Sequence, residues 1–291
     1  MQARSTDRIR PRRSVLYMPG SNARAMEKAR SLDADALILD LEDAVAPDAK
    51  DIARIQVCDA VKSRTFGSRE VVIRINALDT AWGKADLSGA LDAQPDAILV
   101  PKVSGAADLK TIDAAGRGTP LWAMIETPRA ILDIAEIAGA SRNLACLVMG
   151  TNDLIKEMRG KPVRGRENLS AALSLCVFAA RAFDLAAIDG VFNNITDPEG
   201  FHAECQRARA FGFDGKTLIH PSQIAPCNEI FAPSAEEVEL ARRVIAAFAL
   251  PENSGKGAIA LDGKMVERLH ADTAQRTLSL AEAIAARRTK P

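Results

Sequence analysis

What this sequence is short of narrows its chemistry. Its 38 Lys and Arg balance 38 Asp and Glu, so no global field draws it to nucleic acid or to an anionic membrane. No stretch approaches the ~18 consecutive apolar residues of a membrane-spanning helix. The basic opening MQARSTDRIRPRRS lacks the apolar segment of a secretory signal. Asp7 and the prompt start of the first strand speak against a transit peptide. The five cysteines, Cys58, Cys146, Cys176, Cys205 and Cys227, form no CxxC or Cys/His cluster. Their odd number and mostly apolar settings predict reduced thiols in a cytoplasmic protein. The three histidines, His202, His220 and His270, show no HxH or HExxH spacing, which argues against zinc. GxSxG, Walker and GxGxxG patterns are missing, so serine-hydrolase and nucleotide-fold readings lack support.

What is present is an alternation. Eight short apolar runs, at 14–19, 36–40, 71–75, 97–102, 121–126, 145–149, 187–192 and 217–220, are separated by helix-length gaps. Ser21 and Asn22 can cap a helix with apolar positions Ala25, Met26, Ala29 and Leu32. Pro47 precedes another running through Ile52, Ile55 and Val61. Such alternation predicts an α/β fold with a parallel sheet. The 291 residues, 47% hydrophobic and 26% charged, suffice for a (β/α)8 TIM barrel over 1–250 and a small C-terminal lid or arm over 251–291. The second segment contains a polar hinge, PENSGKG, then a hairpin signal at Asp262-Gly263 between 258–261 and 264–266, then an amphipathic helix over about 273–286. The stretch 156–167 reads as a long basic loop, a usual place for substrate contacts.

A barrel gathers the C-terminal ends of its strands around one pocket, so the charges that end the runs are the candidate site. Asp40, Glu42 and Asp43 crowd three carboxylates together and need a cation or donors to compensate; an acidic loop capping a helix is the structural alternative. Arg74, inside an apolar strand, must be paired or face a polar pocket, where it can stabilise an oxyanion. Lys102 suits a salt bridge to a strand-end acid, or a Schiff base. Glu126 and Asp153 end neighbouring strands and can share one hard cation such as Mg²⁺, unless Asp153 only caps a helix. His220 reads as structural, with Ser222 as a helix cap. Arg12 and Arg13 precede the first strand as solvated charges or as contacts for a substrate phosphate.

Taken together, RRSVLYMPGSN, LILDLEDAV, VIRIN, ILVPKV, IETP, GTNDL and IHPSQI resemble the citrate lyase β-subunit-like proteins. That group lies within the wider one of malyl-CoA and citramalyl-CoA lyases and HpcH/HpaI aldolases. The tail GKGAIALDGKMVERLH resembles the lid segment of malyl-CoA lyase-like members. The resemblance implies an Mg²⁺-dependent carbon–carbon lyase acting on a CoA-thioester substrate such as malyl-, citramalyl- or citryl-CoA. It assigns Glu126 and Asp153 as metal ligands, Arg74 as the substrate-binding and catalytic arginine, and Asp262 as an acid/base from a neighbouring subunit. Asp40, Glu42 and Asp43 match acids that orient metal-bound waters, and Arg13 is a candidate CoA contact. A homotrimer or homohexamer is expected, without nucleic-acid or membrane partners. Asn152 departs from the pattern, where family members often carry Glu.

Three other activities fit less closely. A metal-dependent aldolase on free 2-oxo acids commonly uses a His where this chain has Asp43. A citrate lyase subunit would act on an acyl-carrier-protein thioester, whereas the C-terminal tail favours a stand-alone enzyme. A malyl-CoA thioesterase would release free malate instead of glyoxylate.

Overall fold

The computed structural model describes residues 9–116 and 118–288. Asp7 and most of the basic N-terminal stretch lie outside the described residues. The described chain divides into two compact units, one over Arg12–Phe231 and one containing the segment from Ala232 onward.

The first unit is a closed barrel of eight parallel strands in sequential order. The strands are β1 (Ser14–Pro19), β2 (Ala36–Asp40), β3 (Glu70–Arg74), β4 (Ala97–Val100), β5 (Leu121–Ile125), β6 (Leu144–Met149), β7 (Ala186–Asp189) and β8 (Gly215–Leu218). Pairing of Ser14 with Lys216 closes the ring. The connecting helices are α1 (Ala23–Ala29), α2 (Lys50–Lys62), α3 (Gly83–Ala93), α4 (Ala106–Ala115), α5 (Pro128–Leu132), α6 (Ile134–Ala138), α7 (Thr151–Glu157), α8 (Ser170–Ala182), α9 (Pro198–Phe211) and α10 (Ile224–Phe231). The alternation in sequence thus forms the expected (β/α)8 TIM barrel.

Side chains alternate between the two faces of each strand. One buried set, including Val15, Ile38, Val72, Leu99, Trp122, Met124, Val148 and Ile188, fills the barrel interior. A larger set, including Leu37, Leu39, Ile73, Ile98, Ile125 and Leu147, packs with residues of the helices. Stepping two residues onward from the interior set reaches Tyr17, Asp40, Arg74, Glu126 and Gly150. The strand period therefore delivers these residues to the inside of the barrel at its C-terminal mouth.

Several local expectations change. Asn22 alone caps α1, accepting from Ala25 N at 3.0 Å. In α2 the buried face is Ala53, Val57, Cys58 and Val61, while Ile52 and Ile55 point outward at 60% and 62% exposure. Strand β8 begins at Gly215, earlier than its apolar letters suggest, because Lys216 is fully buried in an ion network. The basic stretch after β6 starts inside α7, not in a loop.

The second unit holds α11 (Ala235–Ala249), a two-stranded antiparallel hairpin of β9 (Ala258–Leu261) and β10 (Lys264–Glu267), and α12 (Arg268–Arg288). Ala241 and Val244 of α11 form a small core with Ala274 of α12, flanked by Leu261 and Val266. The division therefore falls at Phe231, not at 250: α11 shares its core with the tail helix. No helix among the described residues is long and apolar enough to cross a membrane.

Candidate active site

The C-terminal mouth of the barrel encloses a cavity of about 310 Å³, with Tyr17, Asp40, Asp43, Arg74, Glu126 and Asp153 among its lining residues. Arg74 ends β3 opposite Asp40 of β2. Its Nε and Nη2 donate to the two oxygens of Asp40 at 2.6 and 2.7 Å. Nη1 lies 2.7 Å from Glu42 Oε2 and 3.6 Å from Asp43 Oδ2. The guanidinium also stands 5.0 Å from the centre of the Tyr17 ring, a cation–π arrangement. Burial works against its charge, but Tyr17, Asp40 and Glu42 outweigh burial and hold its pKa well above the ordinary value.

The turn after β2 is built to present these acids. Asp40 accepts from the backbone N–H groups of Glu42 and Ala44 at 2.9 and 3.0 Å. Lys50, itself buried, donates to the carbonyls of Leu41 and Glu42 and to Asn76 Oδ1. Asn76 in turn donates to Leu41 O and Asp86. Three acids beside one guanidinium still leave an excess of negative charge. Burial raises Glu42 to about 8, with Arg74 opposing and Asp43 and Glu126 reinforcing the shift.

Glu126 follows β5 and precedes α5, whose Thr127 hydroxyl accepts from Ala130 N at 3.0 Å and whose first position is Pro128. Its carboxylate is fully buried. Oε1 accepts from the backbone N–H of Lys102 at 2.7 Å; Oε2 has no hydrogen-bond partner. Burial raises its pKa, opposed by Lys102. Asp153 lies in the first turn of α7, after β6, with Gly150 as the N-cap, so Asp153 is not itself the cap. The Lys102 ammonium joins the two acids, 2.8 Å from Asp153 Oδ2 and 3.5 Å from Glu126 Oε1.

The donor set around Lys102 matches what a divalent cation requires. No group of three His, Cys, Asp or Glu side chains placed to hold a metal ion exists among the described residues, yet Mg²⁺ is ordinarily held by one or two carboxylates with waters completing its shell. Glu126 offers a buried oxygen without a partner. The Lys102 ammonium shows that both acids reach one positive group. Gly150 keeps the space open, since a Cβ there would overlap Glu126 Cβ and Oε2. The pair fits a hard divalent ion.

Two candidate arginines of the barrel are not in this cluster. Arg13 precedes β1, at the opposite rim, and is 3% exposed. Its backbone N–H and guanidinium donate to Asp35 at 2.8–2.9 Å. It is a structural ion pair and is withdrawn as a CoA contact. Arg12 is likewise committed to Glu70 by two bonds, at 2.7 and 2.8 Å. Asp262 occupies the β9–β10 turn of the second unit, where Arg243 of α11 donates to it.

Other assignments shift as well. His220, not Ser222, caps the short turn after β8, accepting from Ser222 N at 3.2 Å. Within the basic stretch, Arg166 turns inward to Asp189 at 2.7 and 2.9 Å. Tyr17 was missed although it lies two positions beyond the interior Val15, and it is the chain's one tyrosine. All five cysteines are buried and unoxidised. Burial raises the thiols of Cys146, Cys176 and Cys227, which makes them poor nucleophiles.

The sequence profile of the HpcH/HpaI aldolase/citrate lyase family matches residues 13–221. The chain belongs to that family. A (3S)-malyl-CoA thioesterase of Cereibacter sphaeroides is 52% identical over 276 residues, covering 95% of this chain and 96% of that protein. The citrate lyase β subunit of Escherichia coli is 37% identical over 294 residues, covering 97% and 96%. A crystal structure of CitE from Mycobacterium tuberculosis, in complex with magnesium, acetoacetate and coenzyme A, superposes with a TM-score of 0.77 at 33% identity, covering 94% of this chain and 98% of that one. As an HpcH/HpaI-family member the chain has the barrel of an enzyme family, with the site just described at its mouth.

Proposed function

We propose that this HpcH/HpaI-family enzyme binds a malyl-type 3-hydroxyacyl-CoA and hydrolyses its thioester to the free hydroxy acid and CoA. The observation that carries the reading is the meeting of Arg74, Glu126 and Asp153 around one small cavity. The 52% identity to a (3S)-malyl-CoA thioesterase favours hydrolysis as the reaction. Glu126 and Asp153 would hold the divalent ion, Mg²⁺ being the one named in related solved structures, and when bound it supplies Lewis-acid polarisation of substrate oxygens.

The chain's own residues supply the rest. A guanidinium carries five N–H groups. Arg74 gives Nε and Nη2 to Asp40 and Nη1 to Glu42, which leaves one N–H on each terminal nitrogen for charge developing on the thioester oxygen. Asp43, with its side chain 61% exposed, takes a proton from the attacking water. The water oxygen bonds to the thioester carbon, the carbon–sulfur bond breaks, and the departing thiolate takes up the proton that Asp43 received. Asp40 and the Lys50–Asn76 clamp keep the acids and Arg74 in register. A cytoplasmic location suits the buried free thiols.

Carbon–carbon cleavage is the second reading, favoured by the citrate lyase β subunits and the CitE structures among the relatives. There the substrate hydroxyl loses its proton, the carbon–carbon bond breaks to a 2-oxo acid and a thioester enolate, and Asp262 from a neighbouring subunit protonates the enolate carbon. That role requires an oligomer, a homotrimer or homohexamer in this proposal. Incubation with (3S)-malyl-CoA and Mg²⁺ separates the two. Hydrolysis yields malate and free thiol in equal amounts; cleavage yields glyoxylate and acetyl-CoA without free thiol. Neither set of products means that the substrate is not malyl-CoA.

A further inference from the structure

Two cavities open side by side at the barrel mouth. The smaller, about 310 Å³, holds Arg74, Glu126 and Asp153. The larger, about 930 Å³, is lined in part by Arg164 and Arg166 of the basic stretch. Thr151, Asn152, Val191 and Asn193 line both and so form the partition between them. Thr151 is buried and Val191 half-buried, whereas Asn152 and Asn193 are exposed. The two asparagines clasp each other: Asn193 Nδ2 donates to Asn152 Oδ1 at 2.8 Å, and Asn152 Nδ2 donates to Asn193 Oδ1 at 3.2 Å. Each amide answers the donor and acceptor of the other, so the outer wall closes without any third group. Asn152 is also next in sequence to Asp153, which sets the clasp at a fixed distance from the acid pair.

We propose that the Asn152–Asn193 clasp is a specificity wall: it confines the acyl group to the smaller cavity and excludes acyl groups with an added branch or carboxymethyl arm. The inference rests on the CoA-thioester reading above and names which members of that class are admitted. A neutral amide pair suits the task, because it places no charge of its own beside the free carboxylate of the acyl group. Opening the wall joins the smaller cavity to the larger one, and the added arm gains a place to lie.

The test compares kcat/KM for malyl-, citramalyl- and citryl-CoA in the wild type, Asn193→Ala, Asn152→Ala and Asn193→Asp. Either alanine variant breaks the clasp, one from each side, so the loss of one variant through misfolding leaves the other. Asn193→Asp keeps the side-chain size and still accepts from Asn152. The alanine variants are expected to raise the citryl-to-malyl ratio by about tenfold or more, the range of discrimination pockets show for small substituents, and Asn193→Asp by much less. A ratio unchanged in the alanine variants, or an equal shift in Asn193→Asp, overturns the inference while leaving the substrate reading intact. A wild type that turns over none of the three thioesters overturns the substrate reading and the wall with it.

Discussion

Arg74 and Asp40 sit at paired register positions on neighbouring strands and are joined by two hydrogen bonds, at 2.6 and 2.7 Å. This fork fixes the plane of the guanidinium before any substrate arrives. It also consumes one carboxylate completely, since the oxygens of Asp40 serve both Arg74 and the following turn.

Arg74→Lys should therefore fail to substitute, because an ammonium lacks the planar fork that Asp40 engages. Turnover of (3S)-malyl-CoA at saturation should fall by about 10²–10³-fold, the loss typical when a preorganised oxyanion donor is removed. Unchanged turnover in the lysine variant would remove Arg74 from the chemistry.

Lys102 touches both Asp153 and Glu126, so a divalent ion held as proposed would contend with its ammonium for the same acids. Lys102→Met should bind Mg²⁺ more tightly, by about tenfold, or about 1.4 kcal/mol, in calorimetric titration. The metal-free variant should melt at a lower temperature, since two close carboxylates lose their shared cation. Equal or weaker metal binding would mean that Lys102 supports the ion instead of displacing it.

Glu42 makes stability depend on pH. Burial raises it from the ordinary 4.5 to about 8, so the folded protein keeps a proton that the unfolded chain releases. The unfolded state thus binds fewer protons between these values, and the Glu42 contribution declines as pH rises from about 4.5 and levels off above about 8. Glu42→Gln removes that decline. In chelator, the melting temperature of the variant minus that of the wild type should grow across this window. A difference independent of pH would show that Glu42 does not carry the shift.

Arg13 and Asp35 form a buried pair far along the strand from the acids. Arg13→Ala should cost about 3–5 kcal/mol in denaturant unfolding, because it strands a buried carboxylate. KM for the CoA thioester should stay unchanged in the protein that folds. A raised KM without loss of stability would restore Arg13 as a substrate contact.

How much of the site could be read in advance depends on the range of the pattern involved. Asp40, Arg74 and Glu126 stood out because each interrupts an apolar strand at its C-terminal end, and strand period sends all three to one face. Asn193 gave no such signal: its partner Asn152 is 41 residues away, and an asparagine in a loop is commonplace. Lys216 misled in the opposite sense. A buried lysine looks polar in a letter string, and only Asp189 and Glu204 at 2.8 and 2.6 Å make it a strand residue. Ile52 and Ile55 looked like core and face outward, because the spacing of a helix leaves its phase open.

The sequence by itself determined the alternation of strands and helices, the interior parity of each strand and hence the barrel, since period and apolar content are local properties of the chain. Only the tertiary structure decided which rim a flanking charge occupies and which partner it meets. Arg13 and Arg74 are both arginines beside apolar runs. Closure of the barrel places one in an ion pair at the rim opposite the mouth and the other over the cavity, because register and burial are set by strands that are distant in sequence.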